Sequence, residues 1–260
     1  MAEIHVERVP RRPHLLGILG LVLGLIALLL LFLTGPGTRF GWWHFRTSFT
    51  LMERAAHVGI AAAVISLLGL LLSRGRGRLL AGAGLVLGAL TVFLPWSWRQ
   101  DARQYPGIHD ITTDVQNPPV FVAVAPLRKD APNPVEYAGD SVAAVQRQAY
   151  PDLRPLMMAM PVDSAFSLAL RTARDMGWEI VDQSRRDGRI EATATTPWMG
   201  FKDDVVVRVT SASGIARVDV RSKSRVGRGD AGANANRIRA YLRRLRAADP
   251  QPIQTTEGPS

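Results

Sequence analysis

The sequence predicts an α+β protein in two parts: a three-helix transmembrane bundle, then a soluble domain in which a four-stranded antiparallel sheet is packed by helices. Three observations carry this. Three long apolar runs fall within the first hundred residues, four segments between positions 178 and 225 have strand patterning, and amphipathic helical stretches flank those four. The boundaries expected from composition are a cytoplasmic segment over 1–13, the membrane region over 14–98, the soluble domain over 99–248 and a polar, disordered tail over 249–260.

The first run, Leu15 to Leu33, is nineteen residues without a charge. At about 1.5 Å of rise per residue it spans roughly the 30 Å of a hydrocarbon core. Ala55 to Leu72 and Leu79 to Leu94 are the second and third, the last extending through Trp96 and Trp98, which suit the headgroup boundary. Small residues at Gly20, Gly24, Ala55, Gly59, Ala63, Gly84 and Gly88 allow the close backbone approach that helix packing in lipid requires. A cleaved secretory signal is the rival for the first run, but its apolar stretch is too long and ends at Phe32-Leu33-Thr34 rather than at small residues. Between the first two runs, Gly35 to Arg46 reads as a turn-rich loop with Trp42, Trp43, Phe45 and Phe49 at the interface.

Orientation follows from the arginines near the helix ends. Arg8, Arg11, Arg12, Arg74, Arg76 and Arg78 share one side, and Arg39, Arg46, Arg54, Arg99 and Arg103 the other. The short loop with three arginines in six residues is the hardest to translocate, which places the amino terminus in the cytoplasm. An odd number of crossings then puts the carboxy-terminal domain outside, in the periplasm of a bacterium with two membranes.

The formal charge of +10 argues little for nucleic acid, because residues 1–100 hold ten arginines against three glutamates and leave only +3 for the rest. The absence of cysteine removes disulfides, cysteine-held metals and a lipid-attachment thiol. No cofactor is expected. From Tyr105 to Pro161 nine prolines break any long helix, yet the segment is too apolar in places for a free linker and is expected to wrap the domain. A short helix is expected from Ser141 to Ala149 with Asp140 as N-cap, and a longer one ending at Met176 with Asp163 as N-cap.

Strands are expected at Trp178 to Gln183, Arg189 to Thr196, Asp204 to Thr210 and Arg217 to Arg225. Asp187-Gly188 marks the first hairpin, and Ser211-Ala-Ser-Gly the last turn. The second and fourth alternate strictly, with Ile190, Ala192, Ala194, Val218 and Val220 on one face and charged or hydroxyl residues on the other. A final helix from Ala233 to Ala247 buries Ile238, Tyr241, Leu242 and Leu245.

Candidate site residues are weighed against plainer roles. Gly227-Arg-Gly-Asp-Ala-Gly has the glycine spacing of a dinucleotide loop, but no second parallel strand follows, so only an anion-binding turn survives, formed by Arg225, Arg228, Asp230, Asn234 and Arg237. Its plain reading is a tight turn with Asp230 capping the last helix. His109, Asp110 and Asp114 form a second group; a lone histidine in the soluble part makes neither a catalytic triad nor a two-histidine metal site. If the polar sheet face is open, Thr193, Thr195, Arg208, Arg221 and Lys223 present donors and positive charge to an anionic ligand; cross-strand ion pairs account for them equally.

The motifs His109-Asp-Ile-Thr-Thr-Asp, Asn117-Pro-Pro-Val-Phe, Gly177-Trp-Glu-Ile-Val, Phe201-Lys-Asp-Asp-Val-Val-Val-Arg-Val and Asp219-Val-Arg-Ser-Lys-Ser-Arg-Val-Gly, running on to Asn236-Arg-Ile, occur in one order. The chain from about Tyr105 to Leu245 thereby resembles the domain of unknown function 1499 family, a bacterial and plastid group sometimes preceded by membrane helices. The resemblance implies the domain and transfers no catalytic role. The functional expectation is a periplasmic domain that binds an envelope protein or an anionic ligand, the bilayer being the other partner and nucleic acid none. The alternative is a membrane-anchored hydrolase of an anionic or lipidic envelope substrate that uses His109 and nearby aspartates.

Overall fold

A computed structural model describes residues 14–249; the expected segment 1–13 and nearly all of the expected tail lie outside the described residues. Asp249, where the tail was to begin, is still buried, and its N–H donates to the Arg246 carbonyl. The chain divides into two compact units, residues 1–100 and 101–260.

The first unit holds α1 (His14–Arg39), α2 (Phe45–Leu72) and all but the last three residues of α3 (Arg76–Arg103), each helix long and apolar enough to cross a membrane. Their packing rests on the small residues. A Cβ on Gly20 of α1 would stand 2.2 Å from Ser66 Oγ of α2, and one on Gly84 of α3 would stand 2.5 Å from the same atom and 2.6 Å from the Gly20 backbone. All three helices therefore meet at Gly20, Ser66 and Gly84. Gly59 and Gly88 make a similar close approach between α2 and α3.

The expected loop after the first run is shorter than its composition suggested, because α1 continues through Gly35, Pro36 and Gly37 to Arg39. Side-chain hydroxyls and an indole gather at the carbonyl just before this Gly-Pro-Gly turn. The Thr34 carbonyl accepts from Ser48 Oγ at 2.7 Å and from Thr38 Oγ1 at 3.2 Å, and Trp43 Nε1 donates to Ser48 Oγ at 2.7 Å. Trp43 is thus folded against Gly37, while Trp42 and Phe49 stay exposed as interface residues would.

In the second unit the four expected strands form an antiparallel meander: β3 (Glu179–Ser184), β4 (Arg189–Thr195), β5 (Lys202–Ala212) and β6 (Ile215–Ser224). Two short strands that the sequence did not reveal, β1 (Asp110–Thr112) and β2 (Leu156–Met158), both pair with the free edge of β6, so the sheet has six strands rather than four. The β5–β6 turn places Ser213 and Gly214 at positive φ, the backbone of a two-residue hairpin. Gly188 closes the β3–β4 turn at φ +59°, where a Cβ would lie 2.0 Å from the Val209 carbonyl.

One face of the sheet carries the main core. Ile190, Ala192, Val205, Val207, Val209, Val218 and Val220 pack under α5 (Val162–Asp175) and α6 (Ala233–Ala247). Trp178 stacks on Tyr241 at 4.9 Å, and the Tyr241 hydroxyl donates to the Ala169 carbonyl at 2.8 Å. Burial of each large apolar side chain here is worth about 1.5–3 kcal/mol. Two cap expectations are corrected. Asp163 lies in the first turn of α5 with Pro161 at the cap position, and Asp140 is the first residue of α4 (Asp140–Ala149), which follows Gly139. Pro161 and Gly139 already have the non-helical cap geometry, so each carboxylate lies inside its helix, in the first turn, where it favours the positive end of the dipole.

Candidate functional site

The opposite face of the sheet is the polar one, and it is closed. Strand alternation aims Glu191 and Thr193 of β4, Asp204, Val206 and Arg208 of β5, and Arg217, Asp219, Arg221 and Lys223 of β6 the same way. Over them lies the proline-rich segment 113–139, called the strap below. It seats Phe121 and Val124 on Val206, with Val135 and Val181 beside them. Thr193, Arg221 and Lys223 are therefore not offered to solvent, because the strap is apolar enough to cover them and its carbonyls satisfy the cations beneath, whereas Arg208 is half-buried and Thr195, at the end of β4, is exposed.

Asp110 is the centre of the first cluster. It stands opposite Lys223 in the β1–β6 register. Arg221 donates to both of its oxygens, Nε to Oδ1 and Nη2 to Oδ2, each at 2.8 Å, and Lys223 Nζ donates to Oδ2 at 2.8 Å. The remaining donors go to strap carbonyls: Arg221 to Pro119 at 3.2 Å and Val135 at 2.9 Å, and Lys223 to Glu136 at 2.5 Å. Arg221 also lies over the rings of Phe121 at 4.9 Å and Tyr137 at 5.4 Å, the flat contact that a guanidinium makes well. All three charged residues are 3% exposed or less. Burial pushes the Lys223 amine below its ordinary range, with neighbouring Arg221 and Arg128 adding to the effect and Asp110 opposing it. Burial also pushes the Tyr137 phenol up to about 12.

A second cluster surrounds Asp204, which accepts from Arg128 at 2.8 Å, from Arg225 at 2.8 and 2.9 Å, and from Thr193 Oγ1 at 2.7 Å. Arg128 belongs to the strap's 3-10 turn (Ala125–Arg128) and donates further to the carbonyls of Lys223, Asn133 and Ser224. Desolvation lowers its pKa, with Asp204 acting against that. In the third cluster Arg208 and Arg217 each bridge Asp114 and Asp219 at 2.8 to 3.1 Å. Hydrogen bonding to Asp219 raises the Arg217 pKa. The other oxygen of Asp114 accepts from the N–H groups of Gln116 and Asn117, holding a local turn at the start of the strap.

Glu191 closes the layer. Its fully buried carboxylate accepts the N–H groups of Val122, Ala123 and Val124 at 2.8 to 3.1 Å, so a side chain of the sheet supplies the acceptors that the strap's backbone lacks. At the sheet edge Gln146 of α4 does the same for Thr112, accepting from its N–H at 3.0 Å and donating to its carbonyl at 2.6 Å.

The other sequence-derived candidates gather at the β6–α6 corner, on the helix-covered face. Asn234 donates to the His109 carbonyl and to Ser224 Oγ, and accepts from Ser222 Oγ. Arg237 donates to Asp203 Oδ2 at 2.5 Å and to Ser222 and Asn234. Asp230 accepts the N–H groups of Gly232 and Asn234 at the start of α6, the plain role anticipated for it, and burial raises its pKa. His109 Nδ1 lies 3.1 Å from the carbonyl of the exposed Arg228.

The ten candidates thus divide among separate places. Asp110, Arg221 and Lys223 form one cluster, Asp114 and Arg225 enter two others, and His109, Arg228, Asp230, Asn234 and Arg237 lie at the corner. Arg128, Glu191 and Asp219 were not among the candidates, although strand alternation had already placed Glu191 and Asp219 on this polar face. Among the described residues no group of three His, Asp or Glu side chains is placed to hold a metal ion.

Chemically, the arrangement is a set of acceptors already filled. Both oxygens of Asp110 and both of Asp204 receive charged donors, and reaching a substrate proton would require breaking those bonds and lifting the strap. This defines a membrane-associated protein with a single α+β module, its sheet covered on one face by helices and on the other by a strap bound through buried charge. Residues 110–245 match the family described as Protein of unknown function (DUF1499), and with more than half of its length in that match the chain belongs to this family, as the ordered motifs implied. No curated protein matches the chain.

Proposed function

We propose that the chain is a multi-pass protein of a bacterial inner membrane, with a cytoplasmic amino terminus, and that it presents its module in the periplasm to bind an envelope protein or an anionic ligand without catalysis. The observation that carries the non-catalytic reading is Asp110, whose carboxylate is filled by Arg221 and Lys223 beneath the strap. The arginines at 74, 76 and 78 and the three apolar helices among the described residues support the orientation. An anionic ligand would find exposed positive charge at Arg228 on the β6–α6 corner.

A reporter fused after Ser260 tests the orientation. A phosphatase that matures only outside the cytoplasm is expected to be active there, and fluorescence from a cytoplasm-only reporter would contradict the proposal. The hydrolase alternative is tested by offering the full chain a chromogenic phosphate ester. No turnover is expected, whereas turnover abolished by His109→Ala in a folded protein would establish the alternative.

A further inference from the structure

The strap carries a surface that the proposed role leaves unused. Five large hydrophobic residues are exposed among the described residues of the module, and three of them, Val120, Val122 and Leu127 at 67, 51 and 55% exposure, fall within eight positions of the strap. Single exposed apolar side chains are ordinary, but a group on one fixed segment is a mark of an interaction surface. The segment is fixed. Phe121 and Val124 point inward, Glu191 holds three consecutive N–H groups, and Arg128 pins the following turn to Asp204. The backbone alternation that buries Phe121 therefore presents Val120 and Val122 to water on a rigid platform.

The same pinning brings the strap's turn to the start of β5, next to the β4–β5 loop that carries Trp198, a fourth exposed large hydrophobic. Lys129 follows the turn and Lys202 opens β5, both exposed. Exposed apolar side chains on the strap, an exposed tryptophan in the loop before β5 and two exposed lysines are the residue types that suit the interfacial zone of a bilayer, where the rings and stems enter the headgroup region and the amines meet phosphates. A bilayer is also within reach. Only six residues, 104–109, separate the end of α3 from β1, at most roughly 20 Å of extended chain. Tyr105 and Gly107 of that link are themselves packed against Gly232 and Gly229. A surface tethered so closely meets lipid at a high effective concentration, so weak apolar contacts suffice.

We propose that Val120, Val122, Leu127 and Trp198, flanked by Lys129 and Lys202, dock the module onto the surface of the bilayer its own helices cross. This rests on the reading that those helices span a membrane and extends it to the module. The chain has no cysteine, so a single introduced one carries a single label. The full chain bearing Val122→Cys, labelled with an environment-sensitive fluorophore, is reconstituted into nanodiscs of phosphatidylcholine and phosphatidylglycerol. Gln148→Cys, on the exposed side of α4, and Leu25→Cys, exposed on α1, are labelled in parallel.

Quenching by nitroxide-bearing lipid is expected at 25 and at 122 but not at 148. Adding Val120→Asp and Leu127→Asp is expected to return the signal at 122 to that at 148 without moving the module's unfolding midpoint. Quenching at 25 with none at 122 would overturn the docking, leaving the patch to a protein partner, while the anchor stands. No quenching at 25 would remove the anchor itself.

Discussion

Replacing Asp110 by Asn keeps the size of the side chain and removes the charge that holds Arg221 and Lys223. Both cations would remain in a layer where they are 3% exposed or less, tied to strap carbonyls but without an anion. Loss of one partner from a buried pair costs about 3–5 kcal/mol, far above the roughly 0–1 kcal/mol of an exposed pair. Against a domain stability of about 5–15 kcal/mol, that is enough to lower the unfolding midpoint sharply without necessarily abolishing the fold. The pH dependence adds a signature. Burial already holds the Lys223 amine below its ordinary 10.5. Between the lowered folded value and the unfolded one the unfolded chain binds more protons, so stability rises with pH across that interval. Asp110 is the neighbour that opposes the lowering, and its removal should widen the interval toward neutral pH. Urea unfolding of the full chain in micelles, followed by protease susceptibility of the module at a series of pH values, reads both effects. A loss below about 1 kcal/mol, with an unchanged pH slope, would refute the buried-layer reasoning.

Three further outcomes follow from the packing. Gly188→Ala should destabilise the module by at least about 1 kcal/mol, since the new methyl would meet the Val209 carbonyl from a left-handed backbone; the urea midpoint measures it. Tyr241→Phe removes the hydroxyl's bond to the Ala169 carbonyl, which keeps its donor within α5, and should cost about 0.5–1.5 kcal/mol in the same assay, while the ring still stacks on Trp178. In the other unit, Gly84→Leu should separate the helices at their common crossing near Gly20 and Ser66, seen as new protease cleavage within residues 14–103 in micelles, while Gly82→Leu, which meets nothing within 4 Å, should not.

The parts legible in the sequence were those with local signals. Periodicity gave the last helix its observed bounds, Asp187-Gly188 marked its hairpin, and strict alternation divided Ile190 and Val218 from Arg189 and Arg217. Strands β1 and β2 were not legible because three residues carry no period, and both exist only through the edge of β6. The polar sheet face was left open between a ligand surface and cross-strand ion pairs for a related reason. Arg217, Asp219, Arg221 and Lys223 alternate as a solvent face does, and the residues that enclose them, from Asp110 to Tyr137, lie 86 to 113 positions earlier in the contacts they make. Alternation tells which residues share a face and not what covers it. The clue lay in the strap, whose Phe121 and flanking valines are too apolar for a linker, while its carbonyls and its three N–H groups needed partners that only buried charge could supply.

Hydrogen exchange on the full chain in micelles addresses that covered layer most directly. If the strap is sealed to the sheet through Glu191, the amides of Val122, Ala123 and Val124 should exchange nearly as slowly as the central residues of β5, and Glu191→Ala should release all three together. Exchange of those amides at the rate of an unprotected loop in the unaltered protein would contradict it, and the polar face would then be open to solvent after all.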